Sequence, residues 1–241
     1  MSIGLPAEDP RTAALAANLA KVQERIAAAC AEVGRDPAEV TLVAVTKTYP
    51  AADVIRLARL GVGDIGENRD QEASAKVAEV AASGVRVRWH FVGRLQRNKA
   101  RSVVRYADLV HSVDSVRLAE ALGRAAAVRE RPLEVLVQIS LDGDPTRGGV
   151  PDGAELARVV EAVAGQETLR LRGVMAVAPL DWQPRTAFTR LVEIATRLRG
   201  DYPEATIISA GMSGDLVDAL HCGATHVRIG SALLGMRAPL R

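Results

Sequence analysis

The chain has 241 residues, 48% hydrophobic and 25% charged, with a formal net charge of +2. That is a globular composition, without the field expected of a nucleic-acid or anionic-membrane binder. Aromatics are 3% of the chain, too few for base-stacking platforms, and no apolar run reaches the ~18 residues of a membrane span.

Residues 10–33 are expected to form the first helix. Asp9 can cap it, Pro10 suits its first turn and Gly34 ends it. Leu15, Leu19, Val22, Ile26, Cys30 and Val33 make one apolar stripe, so this helix is expected to pack across the outside or bottom of the later elements. From Thr41 an alternation begins. Strand 41–46 leads to a helix over 51–60, strand 64–68 to a helix ending near 82, and strand 88–93 to a helix over 96–104. Strand 109–113 precedes a helix over 115–128, and strand 135–139 a Gly/Asp/Pro loop (141–150) and a helix near 152–164. Strand 171–177 then leads to a helix over 184–199, strand 206–209 to one over 213–221, and strand 226–230 to a short helix from 231. Alternation of this kind means parallel strands with right-handed crossovers. Eight units in ~200 residues favour closure into a (β/α)8 TIM barrel over an open doubly wound sheet. No linker divides them, so one domain is expected, with the barrel at about 41–235.

The stretch Thr41–Pro50 carries the first chemical signal. A strand of small and β-branched residues ends in Lys47, one of only four lysines (Lys21, Lys47, Lys76 and Lys99). Burying an ammonium is costly, and a partly desolvated lysine loses its proton more easily and attacks aldehydes. A structural lysine paired with a carboxylate fits the same stretch, and both readings stay open here. Barrel sites lie at the C-terminal strand ends. Those ends carry Lys47, Asn68, His90 with Gly93, Ser112, Gln138, Met175, Ser209 and Arg228. The turns Ser209–Ser213 and Arg228–Ser231 follow strands seven and eight, where small residues and helix N-termini favour a phosphate. An aldehyde-reactive lysine beside a phosphate turn points to pyridoxal 5′-phosphate.

Several stretches closely resemble the pyridoxal phosphate homeostasis proteins, single-domain relatives of the alanine racemase barrel (fold type III). They are Val43–Lys47, Gly66–Asn68 with Gln71 and Glu72, Trp89–Gly93, Leu95 and Gln96 with Asn98 and Lys99, Gly173–Ala176, Gly211–Ser213 with Asp215 and Leu216, and Val227–Gly230. The resemblance implies Lys47 as the Schiff-base lysine and Asn68 beside the cofactor ring. It implies Ser209, Gly211, Gly230 and Ser231 on the phosphate, and Arg228 at the pyridine nitrogen. Met175 and His90 are implied as neighbours. The chain departs from the family pattern at Ala210, at Arg94 and Arg97, and at Arg147–Gly149.

A cationic arginine at the pyridine nitrogen makes the ring a poor electron sink. The related racemases take a second base from a C-terminal β-domain, and this chain ends at Arg241 without one. The reading is therefore a carrier that buffers and delivers pyridoxal phosphate, with PLP-dependent apo-enzymes as possible recipients and a monomer as the simpler state. A low-activity racemase or lyase is the alternative, and a cofactor-free phosphate-binding barrel or Schiff-base aldolase a third class. The run Arg94, Arg97, Lys99 and Arg101 reads as a solvated face. His221, Cys222 and His226 fit no zinc spacing, and Asp142 and Asp144 lack the rest of a calcium loop. Two cysteines without redox spacing, and no basic start followed by an apolar core at the N-terminus, point to the cytoplasm.

Overall fold

The computed structural model describes residues 9–235. Residues 1–8, on which the expectation of no leader segment rests, and Arg241 lie outside them. The first helix, α1 (Pro10–Glu32), is capped by Asp9, whose carboxylate accepts from the Arg11 N–H at 3.1 Å. Then come β1 (Thr41–Val45), α2 (Ala51–Arg59), β2 (Asp64–Glu67), α3 (Asp70–Ala82), β3 (Arg88–Phe91) and α4 (Ala100–Val103). Next are β4 (Leu109–Val113), α5 (Val116–Ala126), β5 (Leu133–Gln138), α6 (Ala154–Ala164), β6 (Leu169–Met175) and α7 (Pro184–Asp201). The series closes with β7 (Ile207–Ser209), α8 (Leu216–Cys222), β8 (His226–Ile229) and α9 (Ser231–Leu234).

The strands close in chain order into a barrel, all pairs parallel. Closure runs through β1, which registers Val43 against Asp64 of β2 on one side and Arg228 of β8 on the other. Strand side chains alternate between two environments, as the pleat requires. Outward residues such as Ala44, Val227 and Ile229 belong to one apolar cluster with Leu15, Leu19, Val22 and Ile26 of α1, and α1 packs against α2, α8 and α9, the helices that flank the seam between the first and last strands. Inward, Leu109, Leu136, Met175 and Ile207 form a separate small apolar layer. Below it, at the N-terminal end of the strands, Glu134 pairs with Arg88 and with Arg172, the latter at 3.2 Å.

The structure moves three expectations. β1 stops at Val45, so Lys47 sits in the turn beyond the strand. The helix expected over 96–104 is a 3-10 turn, Arg97–Lys99, followed by α4. Val33 is 39% exposed and leaves the α1 stripe. Among the described residues no helix is long and apolar enough to cross a membrane.

Candidate functional site

The rim of the barrel is built first by the end of β1. Thr46 is fully buried; its hydroxyl donates to Glu67 Oε1 at 2.6 Å. Lys76 of α3, also buried, donates to the same Glu67 oxygen at 2.5 Å and to the Thr46 carbonyl at 2.8 Å. Its third contact is Glu72 at 3.3 Å, and Glu72 in turn accepts from the Thr48 N–H. The peptide groups on both sides of Lys47 are thus fixed while Lys47 itself is exposed. Thr48 takes φ +66°, the one non-glycine positive φ among the described residues. Such a conformation is an outlier for a β-branched residue and persists only where its surroundings impose it. Burial pushes the Glu67 carboxyl up, and the opposing Lys76 and Thr46 hydrogen bonds do not fully offset it.

The turns after β7 and β8 meet beside this end. Gly211 adopts φ +90°, and a Cβ there would stand 2.7 Å from that of Ala219; only glycine fits the turn. The Met212 N–H donates to Asp215 at 2.6 Å. The Ser213 hydroxyl accepts from Ser231 Oγ at 3.3 Å and from the Ala232 N–H at 3.2 Å. Gly230 faces β1, where an added Cβ would lie 3.5 Å from the Val45 carbonyl. The two turns expected to share a phosphate therefore form one cradle next to the Lys47 turn.

Beneath the cradle sits Arg228, 5% exposed. Its Nη1 donates to Ser209 Oγ at 2.6 Å and its Nη2 to the Ala176 carbonyl at 2.9 Å. Among the described residues no carboxylate pairs with it. Burial pushes its pKa down to about 10, with Asp215 opposing from a distance, which leaves a cation at neutral pH. A buried guanidinium without a counter-ion is costly; its position at a barrel mouth points to an acceptor that arrives with a ligand.

Asn68, directly after β2, is half-buried, and its Oδ1 is buried without a hydrogen-bond partner among the described residues. Gly93 makes room for it: a Cβ at Gly93 would lie 2.3 Å from the Asn68 carbonyl oxygen. Asn68, Gln71, Arg94, Arg97, Lys99 and Asp114 line part of a 1080 Å³ cavity on this side of the mouth. The basic run read as a solvated face thus also walls the rim. Arg147 ties the loop after β5 to the loop after β6, donating to the Ala178 carbonyl at 2.8 Å.

Lys47, Asn68, Gly211, Gly230, Ser231 and Arg228 are thus gathered at one end of the barrel. Three placements differ from the strand-end reading. Lys47 is exposed rather than desolvated. His90 is fully buried inside the barrel, its two ring nitrogens engaged by His111 and Asp64. The Ser209 hydroxyl is committed to Arg228 and His111, not free for a phosphate. Met175, 2% exposed, belongs to the inner apolar layer. Sequence reasoning passed over Lys76 and Glu67 as supports of the Lys47 turn, Ser213 as the link between the turns, and His111. Ser213 was legible in its motif; His111 and Lys76 carried no local signal.

The model of the alanine racemase N-terminal domain family matches residues 11–238. A pyridoxal phosphate homeostasis protein of Mycobacterium tuberculosis is 46% identical over 253 residues, covering 98% of each chain. PipY of Synechococcus elongatus, solved with pyridoxal phosphate bound, superposes with a TM-score of 0.80 at 34% identity over 92% of this chain and all of that one. Alanine racemase of Corynebacterium glutamicum shares the fold, with a TM-score of 0.68 at 18% identity over 95% of this chain and 63% of the racemase.

Proposed function

The chain belongs to the alanine racemase N-terminal domain family and, within it, to the pyridoxal phosphate homeostasis proteins, and from that premise we propose that it binds, buffers and delivers pyridoxal 5′-phosphate. The observation that carries this reading is Arg228, a buried cation near the C-terminal strand ends that pairs with no carboxylate among the described residues.

The residues fit the cofactor group by group. Lys47, exposed on a turn held from both sides, would be the covalent anchor for the cofactor's aldehyde. Asn68 offers beside it a buried oxygen without a hydrogen-bond partner among the described residues. Gly211, Ser213, Gly230 and Ser231 supply backbone N–H groups and hydroxyls to the phosphate. Arg228 would hold the ring nitrogen as a permanent donor. Bound pyridoxal phosphate would supply a stronger electron sink with that nitrogen protonated, and a cationic partner disfavours that state.

The tyrosines support holding over turnover. The Tyr49 hydroxyl donates to the Gly235 carbonyl at 2.7 Å. Tyr106 is pushed above its ordinary pKa by burial and then by Asp70. Tyr202 lies against α6 and α7, away from the rim. None is placed as a second base. The same reading has the protein acting in the cytoplasm as a monomer and passing its cargo to PLP-dependent apo-enzymes.

Titrating pyridoxal phosphate into the protein is expected to give a visible absorbance band that Lys47→Ala abolishes, with folding stability changed by no more than about 0.5 kcal/mol. Retention of the band in the variant would overturn the assignment of Lys47. Turnover of L- or D-alanine above ~1 s⁻¹ would replace the carrier with the racemase alternative.

A further inference from the structure

A continuous line of hydrogen bonds crosses the barrel interior. It begins at Asp64, the first residue of β2 at the end opposite the rim, whose side chain is 26% exposed. Asp64 Oδ1 lies 2.8 Å from His90 Nε2, and His90 Nδ1 lies 2.9 Å from His111 Nε2. His111 Nδ1 lies 2.9 Å from Ser209 Oγ, which receives Arg228 Nη1 at 2.6 Å. The two ends have fixed roles, since a carboxylate only accepts and a guanidinium only donates. A neutral imidazole has one N–H and one lone pair, so with both rings neutral a single arrangement fills every link. Arg228 donates to Ser209, the Ser209 hydroxyl to His111 Nδ1, His111 Nε2–H to His90 Nδ1, and His90 Nε2–H to Asp64.

The surroundings favour that arrangement. Burial above all holds His111 well below the ordinary imidazole range, which keeps that ring neutral at pH 7. Burial works against the Asp64 carboxylate, but the His90 hydrogen bond and nearby positive charge, with Arg88 the permanent cation among its neighbours, outweigh it and keep its pKa low. Arg88 is paired with Glu134, and His226 is pushed down to about 4, mainly by burial.

We propose that Asp64 is a positioning residue that sets the direction of this chain from the far end of the barrel. It keeps the Ser209 hydrogen turned inward, so that Ser209 presents only a lone pair and orients Arg228. The direction of the chain stands on the protein's own contacts; that Arg228 then serves the cofactor ring rests on the proposed function. Asp64→Asn replaces an obligate acceptor with an amide that can also donate. The chain can then run backwards, with His111 Nδ1–H donating to Ser209 and the Ser209 hydrogen released toward the rim.

The test begins with long-range ¹H–¹⁵N correlation of the imidazoles in the full chain without cofactor at pH 7. His90 and His111 are both expected as neutral Nε2–H tautomers. A proton on His111 Nδ1, or a doubly protonated ring, overturns the proposal. In Asp64→Asn at least one ring is expected to populate the Nδ1–H form; unchanged tautomers would remove Asp64 as the source of direction. The wild-type measurement stands even if the variant folds poorly. Equilibrium dialysis with pyridoxal phosphate is expected to show about fivefold weaker binding in Asp64→Asn, the effect of one misdirected hydrogen bond. Switched tautomers with unchanged affinity would support the chain and count against Arg228 as the ring partner, so the two readings fail separately.

Discussion

Lys47 and Lys76 flank the same strand end and live in opposite surroundings. Lys76 is 4% exposed, within hydrogen-bonding distance of Glu67, Glu72 and the Thr46 carbonyl. Lys47 is exposed, on a turn whose neighbouring peptide groups those same partners hold. The cost of a buried ammonium falls on the lysine that supports the turn, and the lysine proposed to react stays accessible. Rigidity and reactivity are thereby divided between two residues of one type.

The sharpest way to break this contrast is to remove each ammonium in turn. Lys76→Met would leave Glu67 buried without its cation and is expected to cost about 3–5 kcal/mol of stability in urea unfolding. Lys47→Met is expected to cost no more than about 0.5 kcal/mol. Comparable losses would mean that both lysines are structural.

The interior has a second marker, in acid. His226 is 7% exposed, and its pKa falls from 6.5 to about 4, chiefly through burial and then through the charges of His90 and Arg88. A group whose folded pKa is depressed binds fewer protons folded than unfolded between those values, so stability falls as pH drops from 6.5 to 4. The loss from this residue is about 3 kcal/mol, and His111 adds to it in the same direction. Thermal unfolding across that range is expected to show a steep slope that His226→Asn flattens. An unchanged slope would place the acid sensitivity elsewhere.

At the rim, Gly211→Ala should be felt in both stability and binding. Its φ of +90° and the 2.7 Å approach to Ala219 make a cost of about 1–3 kcal/mol reasonable. Weaker retention of pyridoxal phosphate on gel filtration is expected with it. A stability loss with full retention would remove this turn from the phosphate cradle.

The two lysines also mark where sequence reasoning reached and where it stopped. The strand at 41–45, the turn glycines and the sequence around Arg228 were readable because strand pattern, turn chemistry and motif are local. The desolvation expected of Lys47 was misplaced because a strand's apolar residues show that it is buried without showing where its last turn emerges. Lys76 looked like an ordinary helical lysine, since its partner Glu67 lies on a separate element. His90 was legible as a strand residue, but its engagement with His111 and Asp64 depends on the stagger of three neighbouring strands.

By itself the sequence determined the eight-fold alternation, the family, and the candidates Lys47, Asn68, Gly211, Gly230 and Arg228. Each depends on residue type and spacing along the chain. The tertiary structure alone decided which lysine is buried, which serines remain free for a ligand, and how hydrogen bonds connect Asp64 to Arg228. Those depend on barrel closure, which sets inward side chains from distant strands at hydrogen-bonding distance in a space that excludes water.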